Sequence, residues 1–197
     1  MSAAHPAPNT HPTSPAPGRA PLPPGPARRS AGTVLGAATV ATALMAGVFF
    51  SFDVAVIPGL GRGDDRTYIG AMQNINVAIE NPVFFLAFFG ALVLTGVAAL
   101  QQRRLGRRAV LGWVLASVAL YVVALLVTMG GNLPVNDELA RAGDPARIAD
   151  PAAVREKFEQ TWIALNIVRT TVCTVAVGCL GRALFLYGRG DAGARTR

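Results

Sequence analysis

The stretch Ala109–Met129, AVLGWVLASVALYVVALLVTM, decides how this chain is read. It holds 21 residues without a charge, and at ~1.5 Å per residue such a helix crosses the ~30 Å hydrocarbon core of a bilayer. Three further apolar runs surround it: Ala31–Ile57 and Pro82–Leu100 before it, Trp162–Tyr187 after it. Overall composition agrees, because the 197 residues are 52% hydrophobic and only 15% charged, against roughly 25% charged in a soluble domain. That balance argues against a disordered chain, a nucleic-acid-binding domain or a soluble enzyme. It implies an all-α fold, a polytopic membrane four-helix bundle.

The connections give the bundle its shape. QQRRLGRR, residues 101–108, reads as a tight basic turn between the second and third spans. The first span ends FFSFDVAVIPGL, and Pro58-Gly59 is expected to break it. In the polar segment that follows, Tyr68, Met72, Ile75 and Ile79 recur at helical spacing, with Gln73, Asn76 and Glu80 opposite. This predicts a short amphipathic helix, capped by Asp64 or Asp65, lying in the interface or packed over the bundle. Asn81-Pro82 has the form of an N-cap followed by proline at the first helical position. Beyond Met129 the chain is expected to stay polar and mixed in charge until Asp150-Pro151, another cap. VREKFEQTW then leads straight into the fourth span. The result is one extended fourth helix, roughly 36 residues and ~54 Å long, whose first three turns project beyond the membrane.

Residues 1–30 hold nine of the 14 prolines and are expected to be a disordered Pro/Ala-rich cytoplasmic tail. Residues 31–188 form the four-span domain, and 189–197 a disordered Arg-rich C-terminus. The net charge of +7 comes from 17 Arg and Lys157 against 11 acids. Arginines cluster in the tail (Arg19, Arg28, Arg29), in the 101–108 turn and at the C-terminus (Arg182, Arg189, Arg195, Arg197). The positive-inside rule therefore puts both termini in the cytoplasm of a multi-pass plasma-membrane protein, with the lipid bilayer and not nucleic acid as the partner of the positive charge. Oligomeric state is left open. Both histidines, His5 and His11, lie in the tail, so His-ligated haem, zinc and copper, and a Ser/His/Asp triad, lack their residues. No Gly-rich phosphate loop occurs, and no metal or cofactor is expected. Cys173 and Cys179 point to different sides of one helix. Absence of an inverted repeat or a chain of acids argues against a proton-coupled transporter.

Two charges fall inside spans, where they are costly: Asp53 near the end of the first and Arg169 two turns into the fourth. Their depths match, and a direct ion pair between them is expected, either fixing helix register or forming part of a site. On the fourth helix Trp162, Asn166, Arg169, Thr170 and Cys173 share one face; on the third, Ser117, Tyr121, Thr128 and Asn132 do. Asn74, Asn76, Asn81, Asn132, Asn136 and Asn166 gather at the same ends of the spans. Capping explains some of them, Asn81 and Asn136 first. A polar pocket opening to the outer leaflet explains the set.

Four blocks in order, GVFFSFDVAVIPGL, AMQNINVAIENPVF, VTMGGNLPVNDELA and WIALNIVRT, resemble the anthrone oxygenase family over roughly residues 34–187. The resemblance implies oxidation of an anthrone-type polyketide to an anthraquinone, with O2 as co-substrate and without metal or flavin. A small apolar aromatic substrate would then need flat walls, one base and donors for a developing oxyanion. Phe49, Phe50, Phe52, Phe84, Phe85 and Trp162 are candidates for the walls, with Asn76, Asn81, Tyr121, Asn136 and Thr170 as further substrate contacts. Asp53 is the candidate base, although a neighbouring cation would weaken it. Arg169, Asn166 and Asn132 are the candidate oxyanion donors. The alternative is a non-catalytic membrane protein that binds a lipid or quinone-like ligand or joins a membrane complex.

Overall fold

The computed structural model describes residues 25–195. Four of its helical stretches are long and apolar enough to cross a membrane: Pro26–Leu60, Pro82–Arg104, Arg108–Arg141 and Pro151–Gly190. Helix α1 (Pro26–Ser51) packs on α4 (Pro82–Arg104), α4 on α5 (Arg108–Val127), α5 on α7 (Pro151–Arg195) and α7 back on α1, which makes a square bundle. Chain direction alternates through short connections, as the apolar runs require. The chain is thus a multi-pass helical membrane bundle.

Small residues let the helices approach closely. Toward the 105–107 turn, Ala31, Leu35, Ala98, Val110, Leu180 and Ala183 interlock. Midway, Met45, Phe49, Phe88, Ala91, Tyr121, Ala124 and Cys173 do. In lipid such contacts stabilise by dispersion and shape fit, since expelling lipid tails gains little hydrophobic free energy. Thr42, Thr95 and Thr128 are buried in this apolar interior and donate to the carbonyl four residues back, at 2.8, 2.6 and 2.8 Å. Gly106, at φ 67°, supplies the left-handed residue that reverses the chain between α4 and α5.

Several boundaries differ from those expected. α1 begins at Pro26, inside the segment assigned to the tail, and α7 continues to Arg195 through the segment assigned to the C-terminus. The tail before residue 25, with both histidines, lies outside the described residues. More consequential is that neither proline ends its helix. α1 passes through a π turn, Phe52–Val56, into α2 (Ile57–Leu60); α5 passes through a second, Thr128–Asn132, into α6 (Leu133–Arg141). Ile57 N–H reaches Phe52 C=O, and Leu133 N–H reaches Thr128 C=O, five residues back in each case. A proline clashes with the carbonyl four residues before it. The wider π turn just ahead of Pro58 and Pro134 moves those carbonyls off the straight α-helical ladder, so both helices run on. Residues 130–141, part of the segment expected to be polar and mixed in charge, are therefore helix.

A cap covers this end of the bundle. Helix α3 (Asp65–Ile79) buries Tyr68, Ile69 and Met72 against Leu139, Ile148, Phe158 and Trp162, so it packs over the bundle. Asp64 is its N-cap, accepting from Thr67 N–H at 3.0 Å. Gln73 donates to the carbonyls of Leu139 and Gly143, and Arg66 to those of Pro145 and Ile148. Arg155, in the projecting first turns of α7, bonds Glu159 and Asp65 and lies over the Tyr68 ring at 4.5 Å. These bonds hold α3 and α6 as a rigid lid on the spans.

Candidate functional site

Both π turns lie at the cap end, and between them is a cavity of about 310 Å3. Ligand cavities commonly start near ~300 Å3. Its walls are aromatic. Phe84 and Phe88 stack at 5.5 Å along α4, with Phe85 and Phe89 beside them, while Phe52 packs on Trp162 at 5.3 Å across from them. α3 closes the top with Ile75, Asn76 and Ile79, and the second π turn and α6 contribute Thr128, Asn132 and Asn136.

Polar atoms on this cavity are unusual in lacking partners. Asn76 Nδ2, both amide atoms of Asn132, Asn136 Oδ1, Trp162 Nε1 and Arg169 Nε are buried and make no hydrogen bond within the protein. Leaving one such atom unpaired costs about 1–3 kcal/mol, and native proteins carry few of them. The six atoms, four donors and two acceptors, belong to five residues that all line this cavity. Unused donors and acceptors on the residues of an aromatic chamber suit a flat ligand with polar edges.

Arg169 is 7% exposed and is the cation among the lining residues. Its guanidinium lies 4.4 Å from the centre of the Phe49 ring and 5.4 Å from that of Trp162. Both contacts stabilise a cation that has left water. Its Nη2 donates to Asn166 Oδ1 at 2.7 Å. Asn166, fully buried, turns its Nδ2 the other way, donating to Asp53 Oδ1 at 2.6 Å and to Phe49 C=O at 2.9 Å. A guanidinium only donates and a carboxylate only accepts, so the amide has one orientation that satisfies both. Thr170 Oγ1 donates to Asp53 Oδ2 at 2.5 Å.

The expected direct Asp53–Arg169 ion pair is therefore replaced by an amide bridge. The reason is register. Asp53 sits on the side of α1 that faces Thr170 and a separate groove of about 430 Å3 lined by Arg62, Arg155 and Glu159, and it does not line the aromatic cavity. Of the other expected contacts, Phe49, Asn76, Asn132, Asn136, Trp162 and Arg169 line the cavity, as do the wall residues Phe52, Phe84 and Phe85. Five do not. Asn166, an expected oxyanion donor, spends both amide atoms on Asp53, Phe49 and Arg169. Phe50 points outward, 53% exposed. Asn81 Oδ1 is occupied in capping α4, accepting from Val83 and Phe84 N–H. Tyr121 lies beneath, its hydroxyl donating to Phe88 C=O at 2.8 Å. Thr170 serves Asp53.

Sequence reading missed Phe88, Phe89, Met129 and Glu80 as lining residues. A signal existed for two of them: the doublets Phe84-Phe85 and Phe88-Phe89 repeat at i, i+4 and so share a face. Glu80 gave none, because it looked like the polar side of an amphipathic helix. It is the carboxylate among the lining residues. Gly131 explains the glycines before Asn132: a Cβ there would stand 2.9 Å from Leu165 Cδ2, so glycine lets α7 meet the second π turn.

The anthrone oxygenase family model matches residues 84–179, which run from α4 through the second π turn to α7 and include Asn132, Trp162, Asn166 and Arg169. No curated protein and no solved structure matches the chain.

Proposed function

From the match of residues 84–179 to the anthrone oxygenase family model, we propose a membrane-embedded oxygenase that takes a planar anthrone-type aromatic into the cavity and converts it to a quinone with O2. The carrying observation is the set of unpartnered donors, Arg169 Nε, Trp162 Nε1 and Asn132 Nδ2, inside aromatic walls. An aromatic face fits those walls, and an anionic oxygen fits those donors.

In this reading the substrate's ring methylene loses a proton, and the charge moves to an aromatic oxygen. Arg169 and Trp162 stabilise that oxyanion in a site shielded from water, where such contacts are strongest. The electron-rich carbon then bonds O2, and the resulting hydroperoxide loses water to leave a carbonyl. One O2 is reduced and one CH2 becomes C=O with release of one H2O, so atoms and electrons balance without an added reductant. Glu80, lining the cavity, accepts the proton. Asp53 is a positioning residue: it orients Asn166, which holds Arg169. Resident in the plasma membrane with both termini in the cytoplasm, the enzyme would carry this cavity in the opposite leaflet, since the basic turn lies at the other end.

Purified protein in detergent, given anthrone, is expected to consume one O2 per anthraquinone formed, above the spontaneous rate. Saturable binding with no acceleration would overturn catalysis and leave the cavity to a non-catalytic ligand.

A further inference from the structure

Four lining residues of the cavity are also exposed at the protein surface: Glu80, Phe85, Phe89 and Met129. Three of the four are apolar, with exposures of 41%, 44% and 55% for Phe85, Phe89 and Met129. They border one seam, between α4 and the second π turn above α5. Phe85 and Phe89 lie three and seven residues past Pro82, or ~4.5 and ~10.5 Å down the helix axis. That depth is within the span, so the surface they share faces lipid and not water. Below the seam, Tyr121 closes the two helices through its bond to Phe88 C=O and its ring contact with Phe88 at 6.2 Å. Above it, α3 and the rigid cap cover the cavity.

An opening that is apolar, lateral and floored by a hydrogen bond suits a ligand arriving sideways. We propose that the cavity fills from the bilayer, with Phe85, Phe89 and Met129 as the threshold and a membrane-dissolved planar aromatic as the traffic. This inference rests on reading the cavity as an aromatic site. It adds that the substrate class is one that partitions into lipid before binding. Side chains rather than backbone form the threshold, and an unbranched Met and two Phe rings re-orient without unfolding a helix. The second π turn places Met129 there: its wider turn carries Met129 to the lipid side while Asn132 stays within.

The test follows the rate of filling. The chain has two tryptophans, Trp162 on the cavity and Trp113 on α5, 42% exposed. Trp113→Phe therefore leaves Trp162 as the reporter. This protein is reconstituted in phosphatidylcholine vesicles and mixed with vesicles loaded with anthraquinone, which quenches indole fluorescence. Met129→Cys, labelled with N-phenylmaleimide, plugs the threshold; Leu126→Cys, 66% exposed and one turn away, takes the same label as control. Cys173 and Cys179 are buried and stay unlabelled. Labelled Met129→Cys is expected to slow quenching at least about tenfold, an added barrier of roughly 1.4 kcal/mol, while labelled Leu126→Cys keeps the unlabelled rate. Equal rates in both labelled proteins would overturn the lateral route and leave the aromatic site standing. No quenching of Trp162 in the unlabelled protein would overturn both.

Discussion

Phe52–Val56 and Thr128–Asn132 use one device on two helices. Each is a five-residue π turn, each is followed by one aliphatic residue and then a proline, and each delivers a polar side chain at the cap end of the bundle. Their outcomes are opposite. In the first turn Asp53 meets Asn166 and Thr170, and both carboxylate oxygens are used. In the second, Asn132 reaches the cavity with donor and acceptor both unused. A satisfied polar group holds structure, whereas an unsatisfied one at the edge of a cavity is held ready for something else. Arg169 joins the two halves: Nη2 belongs to the closed network and Nε to the open one.

Breaking the link should have the largest effect. Arg169→Ala removes the charged donor, and anthrone-dependent O2 uptake should fall about 10²–10³-fold, as when one oxyanion donor is lost. Uptake at the unaltered rate would put the chemistry elsewhere. Asn132→Ala should separate function from stability. It deletes an amide already unpaired within the protein, so the detergent melting temperature should hold or rise while anthraquinone affinity drops about tenfold, or roughly 1.4 kcal/mol.

The mirror experiment is Asp53→Ala. It leaves the Thr170 hydroxyl and one Asn166 N–H unpaired in the bundle, which should lower stability by about 1–3 kcal/mol. Conservative Asp53→Asn should recover part of the melting temperature, because it keeps an acceptor for one of the two donors. If Asp53→Ala melted like the parent, the closed network would hold no structure. Gly131→Ala tests the packing that lets the second turn meet α7. A Cβ 2.9 Å from Leu165 must move one helix, an overpacking cost of about 1–3 kcal/mol.

The smallest effect concerns the cap. Asp64 and Asp144 are held below the usual carboxylate range, Asp64 first by the Thr67 hydroxyl and Asp144 first by the Ala146 N–H. Carboxyls depressed in the folded state stabilise it above the unfolded pKa of ~3.9 and lose that contribution as pH falls through the folded value. Amide exchange at the start of α3 and in the Pro145–Arg147 turn should therefore quicken below about pH 4, before exchange within the spans does.

Some of the site was legible without coordinates. Depth along a span is arithmetic at ~1.5 Å per residue, and Asp53, Asn132, Asn166 and Arg169 do gather at one level of the bundle. Which way each side chain turns is a different matter. Asp53 and Arg169 share a depth yet meet opposite ends of the Asn166 amide, because each helix's rotation about its axis sets which way its side chain turns. Ile57-Pro58-Gly59 reads equally as a helix end and as the sequel to a π turn. For the same reason α6 does not stand out from the polar, mixed-charge segment, although its amphipathic pattern and the Gly143 stop at φ 75° are present.

Local chemistry settled what could be written in one dimension: four apolar runs long enough to cross lipid, a basic turn, the Asx caps at Asp64, Asn81 and Asp150, and the absence of histidine outside the tail. Those features depend on neighbours in the chain or on the solvent, so the order of residues is enough. Tertiary packing alone decided that Asn166 stands between an acid and a guanidinium, that Phe84 and Phe88 face Trp162 across a cavity, and that Met129 looks to lipid while Asn132 looks in. Such relations join helices more than 30 residues apart and turn on the rotation of each about its own axis, a quantity the bundle sets only when all four spans pack together.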